Sequence, residues 1–219
     1  MKYTQQQVLE LMRCSEDAIY FIAKYIFKSE LHPHQIEFLQ ALEQDRSVIG
    51  CFDRQMGKTM MMKGYFLWKA LFKGNQALMF VGTQSLNTMH MRHIHDLYES
   101  VPDFLRVKAV RKSANELSLE TGSTIRCGSV SSASVRGRTI NHLWFDECQL
   151  YRDHDVQELF QSAIPMMYKG GNITCVGTGE ETKKMLQYLP TAVVFEASMR
   201  FRGSVQKMSK DAVGRAHNG

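Results

Sequence analysis

Cys51-Phe52-Asp53-Arg54-Gln55-Met56-Gly57-Lys58-Thr59 is the stretch on which the reading of this chain turns. The apolar run at residues 47–52 leads into it and reads as a buried strand. A segment rich in Met, aromatic residues and Lys follows at 60–73 and reads as a helix. Strand, loop, Gly-Lys-Thr and helix is the layout of a phosphate-binding loop. Amides at the helix start point at the phosphates, the helix dipole favours their charge, and Lys58 reaches the terminal phosphates. Gln55, Met56 and Gly57 complete the cradle, and Thr59 offers its hydroxyl to a magnesium ion. One position departs from G-x-x-x-x-G-K-[ST]. The leading glycine belongs at 52, where Phe52 stands, and Gly50 comes two residues early. Taken alone, the loop leaves open a chance Gly-Lys-Thr in a surface turn.

A second motif lies further along. Leu143-Trp144-Phe145-Asp146-Glu147 is an apolar run that ends in two acids. A central strand of this kind delivers both carboxylates to its carboxyl end, where parallel sheets bind ligands. Asp146 is placed to bind magnesium and Glu147 to orient an attacking water and accept its proton. The alternative is a solvated strand end whose acids cap a helix. Both motifs, in this order and each at a strand end, favour nucleotide hydrolysis.

The surroundings agree with an α/β fold. Residues 3–27 read as one helix and 33–44 as a second, with Pro33 in its first turn. Residues 77–81 form a continuous apolar run, expected for a central parallel strand. A helix is expected at 85–100. At 108–129 the pattern changes to alternation, a Gly122 turn and alternation again, the signature of a β-hairpin. Residues 131–138, rich in Ser, Gly and Arg, read as a loop. A helix at 153–167, a strand at 172–176, a short helix at 181–188 and a strand at 192–196 follow. Alternating strands and helices predict a central, mostly parallel sheet covered on both faces.

Composition narrows the setting. The chain has 219 residues, 44% hydrophobic and 22% charged, which suits one packed domain. The net charge of +5 is compatible with nucleic acid without demanding it. Basic residues gather near the end, at Arg200, Arg202, Lys207, Lys210 and Arg215, and read as a solvated tail more readily than as a DNA contact. The five cysteines form no C-x-x-C pair, and Cys51 and Cys175 sit in apolar runs, so a reducing cytoplasm is expected. No apolar run is long enough to span a membrane. His90, His93 and His95 cluster without completing a metal set and read as a solvated helix face. Met60, Met61 and Met62 read as core fillers.

Five pieces in order resemble the ATPase domain of viral large terminases, the motors that package DNA into phage capsids. They are Leu-His-Pro-His-Gln at 31–35, Arg-Gln-Met-Gly-Lys-Thr at 54–59, Ser-Val-Arg-Gly-Arg-Thr at 134–139, Leu-Trp-Phe-Asp-Glu at 143–147 and Val-Gly-Thr-Gly-Glu at 176–180. The deviant first motif is itself characteristic of that family. The resemblance implies a RecA-like (ASCE) P-loop fold, with ATP and Mg2+ as cofactors. It implies a glutamine, Gln35, that reads adenine, and an arginine, Arg54, in the phosphate loop. It implies an arginine finger offered to a neighbouring subunit by Arg136 or Arg138, and a coupling residue at Thr178. The partners implied are double-stranded DNA held through its phosphates, further copies in a ring, a portal protein and a small terminase subunit. The setting implied is the cytoplasm of an infected bacterium, transiently at the procapsid.

The expected division is a helical segment at 1–30, the ATPase at 31–197 and a basic tail or linker at 198–219. Family members usually carry a nuclease as well. The stretch after Glu180 holds few acids and cannot bury a second core, so this chain is not expected to cut DNA. Two alternatives stand beside the motor: a non-hydrolysing nucleotide-binding assembly module and a helicase-like DNA-dependent ATPase.

Overall fold

The computed structural model describes residues 3–44, 46–167 and 170–198, so the basic cluster at 200–215 lies outside the described residues. Its centre is an eight-stranded sheet. In chain order the strands are β1 (Val48–Phe52), β2 (Ala77–Val81), β3 (Ala109–Ser113), β4 (Glu116–Leu119), β5 (Thr124–Gly128), β6 (His142–Phe145), β7 (Asn172–Thr178) and β8 (Val193–Ala197). In space they run β3-β4-β5-β2-β6-β7-β1-β8. The six from β5 to β8 are parallel, while β4 runs antiparallel to both β3 and β5 at one edge.

The helices are α1 (Gln5–Glu16), α2 (Ala18–Phe21), α3 (Pro33–Leu42), α4 (Lys58–Phe72), α5 (Gln84–Ser100), α6 (Ser132–Val135) and α7 (Asp153–Met167). Both sheet faces are covered, which is why β1 and β6 are buried at every position. Side chains alternate along β6. His142 and Trp144 turn to one face, against Phe66 and Phe80. Leu143 and Phe145 turn to the other, among Leu159, Phe160 and Ile173. Met61 and Met62 are fully buried on the Trp144 side, as core fillers should be.

Three sequence expectations are corrected. The helix expected over 3–27 is interrupted at Asp17, whose backbone is extended (φ −121°, ψ 98°). Asp17 closes α1 and opens α2, its Oδ1 accepting from Tyr20 N at 2.8 Å. A π-helix (Ile22–Phe27) continues from α2. Apolar spacing misses this break because the side chains on either side, Cys14, Ala18 and Phe21, enter one core. Replacing Asp17 with Ala should lower stability by about 0.5–2 kcal/mol. A shifted urea midpoint with an unchanged slope would report it.

The second correction concerns the hairpin. It forms as expected, β4 against β5, and β5 pairs in parallel with β2, which joins the hairpin to the main sheet. An unexpected strand, β3, completes that edge. The third is that the loop expected at 131–138 contains the helical turn α6. Among the described residues, no helix is long and apolar enough to cross a membrane.

Candidate active site

The strand order brings the two sequence motifs together. β1 and β6 are separated only by β7, so their carboxyl ends lie about 10 Å apart on one rim. What leaves β1 is the Gly-Lys-Thr loop, what leaves β6 is Asp146-Glu147, and Thr178 ends β7 between them, level with Phe52 in the β1 register.

The loop is shaped by its backbone. Gln55 (φ 63°) and Gly57 (φ 83°) adopt left-handed conformations before α4 begins at Lys58. A side chain at Gly57 would also collide with Gln35, whose Nε2 stands 2.7 Å from where a Cβ would lie. The loop is braced from α3. Gln35 Nε2 donates to the Met56 carbonyl at 3.3 Å, His34 Nε2 lies 3.3 Å from the same oxygen, and Gln35 Oε1 accepts from His32 N at 2.9 Å. Gln35 is therefore buried and engaged at both ends of its amide. Phe52, the misfit of the motif, is the last residue of β1 and is buried against Phe38 and Phe195. Arg54, in the loop, is exposed.

Lys58 Nζ lies 2.6 Å from Glu147 Oε1 and donates to Thr178 Oγ1 at 3.2 Å. Glu147 Oε2 accepts from Thr178 Oγ1 at 3.3 Å and from Gln149 Nε2 at 2.8 Å. Burial alone raises the Glu147 pKa. Hydrogen bonds from Lys58 and Gln149, the Lys58 charge and the Thr178 bond outweigh it, and hold the group below its ordinary value. Glu147 is thus ionised at neutral pH. Its backbone is left-handed at φ 47°, a conformation that costs a non-glycine residue about 1–3 kcal/mol.

Asp146 is buried beside it. Its Oδ2 accepts from Thr59 Oγ1 at 3.4 Å and lies 2.9 Å from His90 Nε2. Its Oδ1 is buried without a hydrogen-bond partner. A bare carboxylate oxygen beside a hydroxyl is the donor set a hard divalent cation takes, and the residues present fit magnesium. Among the described residues no three His, Cys, Asp or Glu converge as metal ligands. A magnesium ion seldom needs such a cage, because water and phosphate oxygens complete its shell.

One histidine corrects a further expectation, while His93 is exposed as expected. His90 is not on a solvated face but 2% exposed, stacked on Trp144 with ring centroids 5.3 Å apart. His93 Nδ1 lies 2.9 Å from Lys63 Nζ, and Lys63 is itself buried on α4, one turn beyond Thr59. Burial lowers the Lys63 ammonium to about 8 despite the pull of Asp146. The sequence holds one cue to this pairing. Thr59 and Lys63 lie four apart, and His90 and His93 three apart, each pair on one face of its helix.

The remaining arginines stay outside the cluster. Arg136 and Arg138 are exposed on either side of Gly137 (φ 69°), in the connection from β5 to β6. Arg136 Nε donates to Ser162 Oγ on α7 at 3.4 Å.

A protein-family model described as terminase large subunit, T4likevirus-type, N-terminal, matches residues 51–176. This chain belongs to that terminase family. The matched segment holds Lys58, Thr59, Asp146 and Glu147, ends just before Thr178 and begins well after Gln35. The large terminase of bacteriophage HK97 superposes with a TM-score of 0.61 at 15% identity, covering 75% of this chain and 38% of that one. The large terminase of a thermophilic bacteriophage, solved in complex with ADP, gives 0.54 at 15% identity, covering 77% and 45%. A hypothetical ATP-dependent RNA helicase from Sulfolobus tokodaii gives 0.53 at 13%, covering 89% and 57%. The chain thus spans less than half the length of these two terminases. All three likenesses establish a shared RecA-like fold.

Proposed function

We propose that this terminase chain hydrolyses Mg-ATP and that hydrolysis drives double-stranded DNA into a capsid. The observation that carries the reading is the convergence of Lys58, Thr59, Asp146, Glu147 and Thr178 on one rim of one sheet.

The roles follow from the contacts. Lys58, now paired with Glu147, moves onto the terminal phosphates when nucleotide binds, joined by the exposed guanidinium of Arg54 and the amides of 55–59. Glu147, released from Lys58 and still steadied by Gln149, orients a water and takes its proton. Thr178, bonded to both, senses the exchange. Thr59 and Asp146 hold magnesium, which when bound neutralises charge on the phosphates. Gln35 reads the base only by giving up a bond to Met56 or His32, so nucleotide entry and release of the loop brace are one event. Arg136 or Arg138, remote from their own site and exposed, serve a neighbour's site in a ring of copies.

The ATPase unit in this proposal is 31–197. DNA is held through its phosphates, because a packaging motor must accept any sequence. The portal protein, the small terminase subunit and the procapsid of an infected bacterium complete the setting. The helicase likeness supports a second reading, a DNA-dependent ATPase that separates strands.

The test is ATP binding and phosphate release with and without duplex DNA. Lys58→Ala should weaken ATP binding by about 1.5–3 kcal/mol, the worth of a charged hydrogen bond, and abolish release. Unchanged binding in that variant would end the site assignment. Strand separation by the wild-type chain would favour the helicase reading. Tight binding with no release, even in the assembled motor, would favour the assembly module.

A further inference from the structure

We propose that His90 is a positioning residue for Asp146, fixing the carboxylate so that one oxygen is presented to the metal. The inference rests on the reading of Asp146 as a magnesium-binding residue. The two side chains are each 3% exposed and meet at 2.9 Å, His90 Nε2 to Asp146 Oδ2. Thr59 donates to the same oxygen. Both protein contacts to this carboxylate therefore fall on Oδ2, and Oδ1 is left buried and unpartnered. A buried carboxylate oxygen with nothing to accept from is costly. The arrangement makes sense when a ligand completes it.

The imidazole is itself immobilised. It stacks on Trp144 at 23° between ring planes and meets Phe80 at 67°. Its Nδ1 is buried without a partner, which leaves Nε2 as the nitrogen that carries the proton and donates. Trp144 lies on β6 two residues before Asp146, which leaves that strand, so the stack ties the histidine to the strand that delivers the carboxylate. Such outer partners orient metal ligands, and losing one typically costs about 10- to 100-fold in metal affinity.

The test uses the full chain with ADP, and Mn2+ as a paramagnetic stand-in whose binding is followed directly. His90→Phe keeps ring, volume and stacking but removes the donor. His90→Gln reaches to the same place with an amide N–H, and His90→Asn falls short. Mn2+ binding should weaken about 10- to 100-fold in the Phe and Asn variants and largely return in the Gln variant. ADP affinity measured in EDTA should stay level throughout, a separation that mere loss of folding could not produce. Wild-type Mn2+ binding in His90→Phe, or equal weakening in Asn and Gln, overturns the inference. A wild-type chain that binds no Mn2+, or an Asp146→Asn variant that binds it fully, overturns the reading of Asp146 and this inference with it.

Discussion

Replacing Glu147 with Gln should lower the rate of ATP hydrolysis by about 10²–10⁴-fold, the usual contribution of a positioned general base. ATP affinity should hold or rise. Glu147 is the counter-ion of Lys58, at 2.6 Å, so a γ-phosphate held by Lys58 would compete with it. A neutral amide is a weaker competitor for that ammonium. The same contact explains why the wild-type carboxyl is held below its ordinary range, and hence why it is available as a base at neutral pH. Single-turnover hydrolysis and equilibrium binding of a fluorescent nucleotide, measured on one preparation, separate the two effects. On the proposed ring assembly, the rates belong in the assembled motor, where a neighbour's arginine would complete the site. A variant that hydrolyses ATP at the wild-type rate would remove Glu147 from the chemistry.

Trp144→Ala should be the most destabilising single change in the central sheet, at about 3–5 kcal/mol. Trp144 is fully buried on β6 and touches Phe66 from α4, Phe80 from β2 and His90 from α5. Removing the indole leaves a cavity beneath three elements that each carry or support part of the site. The loss could equal half the stability of a typical domain. It should appear as a lower denaturant midpoint followed by far-UV circular dichroism. Because His90 loses its stacking partner, Mn2+ binding in the presence of ADP should weaken in the protein that remains folded. A midpoint within experimental scatter of wild type would mean that Trp144 is not the keystone its contacts indicate.

Much of this was legible along the chain, and the legible parts share a property. The strand at 48–52, the Gly-Lys-Thr turn and the helix behind it are specified by neighbours in sequence: an apolar run, a residue able to take positive φ, and a run of helix formers. The Leu-Trp-Phe-Asp-Glu strand was equally plain, because burial on both faces demands apolar residues throughout and the two acids mark where it leaves the sheet. The break at Asp17 was hidden because the apolar face continues across it. The hairpin was visible, but not its pairing with β2, since nothing local tells an extended segment which edge it will join.

Residue order in the chain by itself determined an α/β fold with a central, mostly parallel sheet and the placing of the two motifs at strand exits, because periodicity, turn residues and charge are local quantities. The RecA-like class came from the resemblance of the motifs to those of viral large terminases. Tertiary structure alone decided that β7 falls between β1 and β6, which hands Thr178 to both Lys58 and Glu147. It alone decided that α5 turns His90 inward over the end of β6. The physical reason is the same in both cases. Whether a polar side chain faces water or a buried carboxylate depends on what a distant segment places opposite it, and a helix bearing three histidines carries no record of that segment.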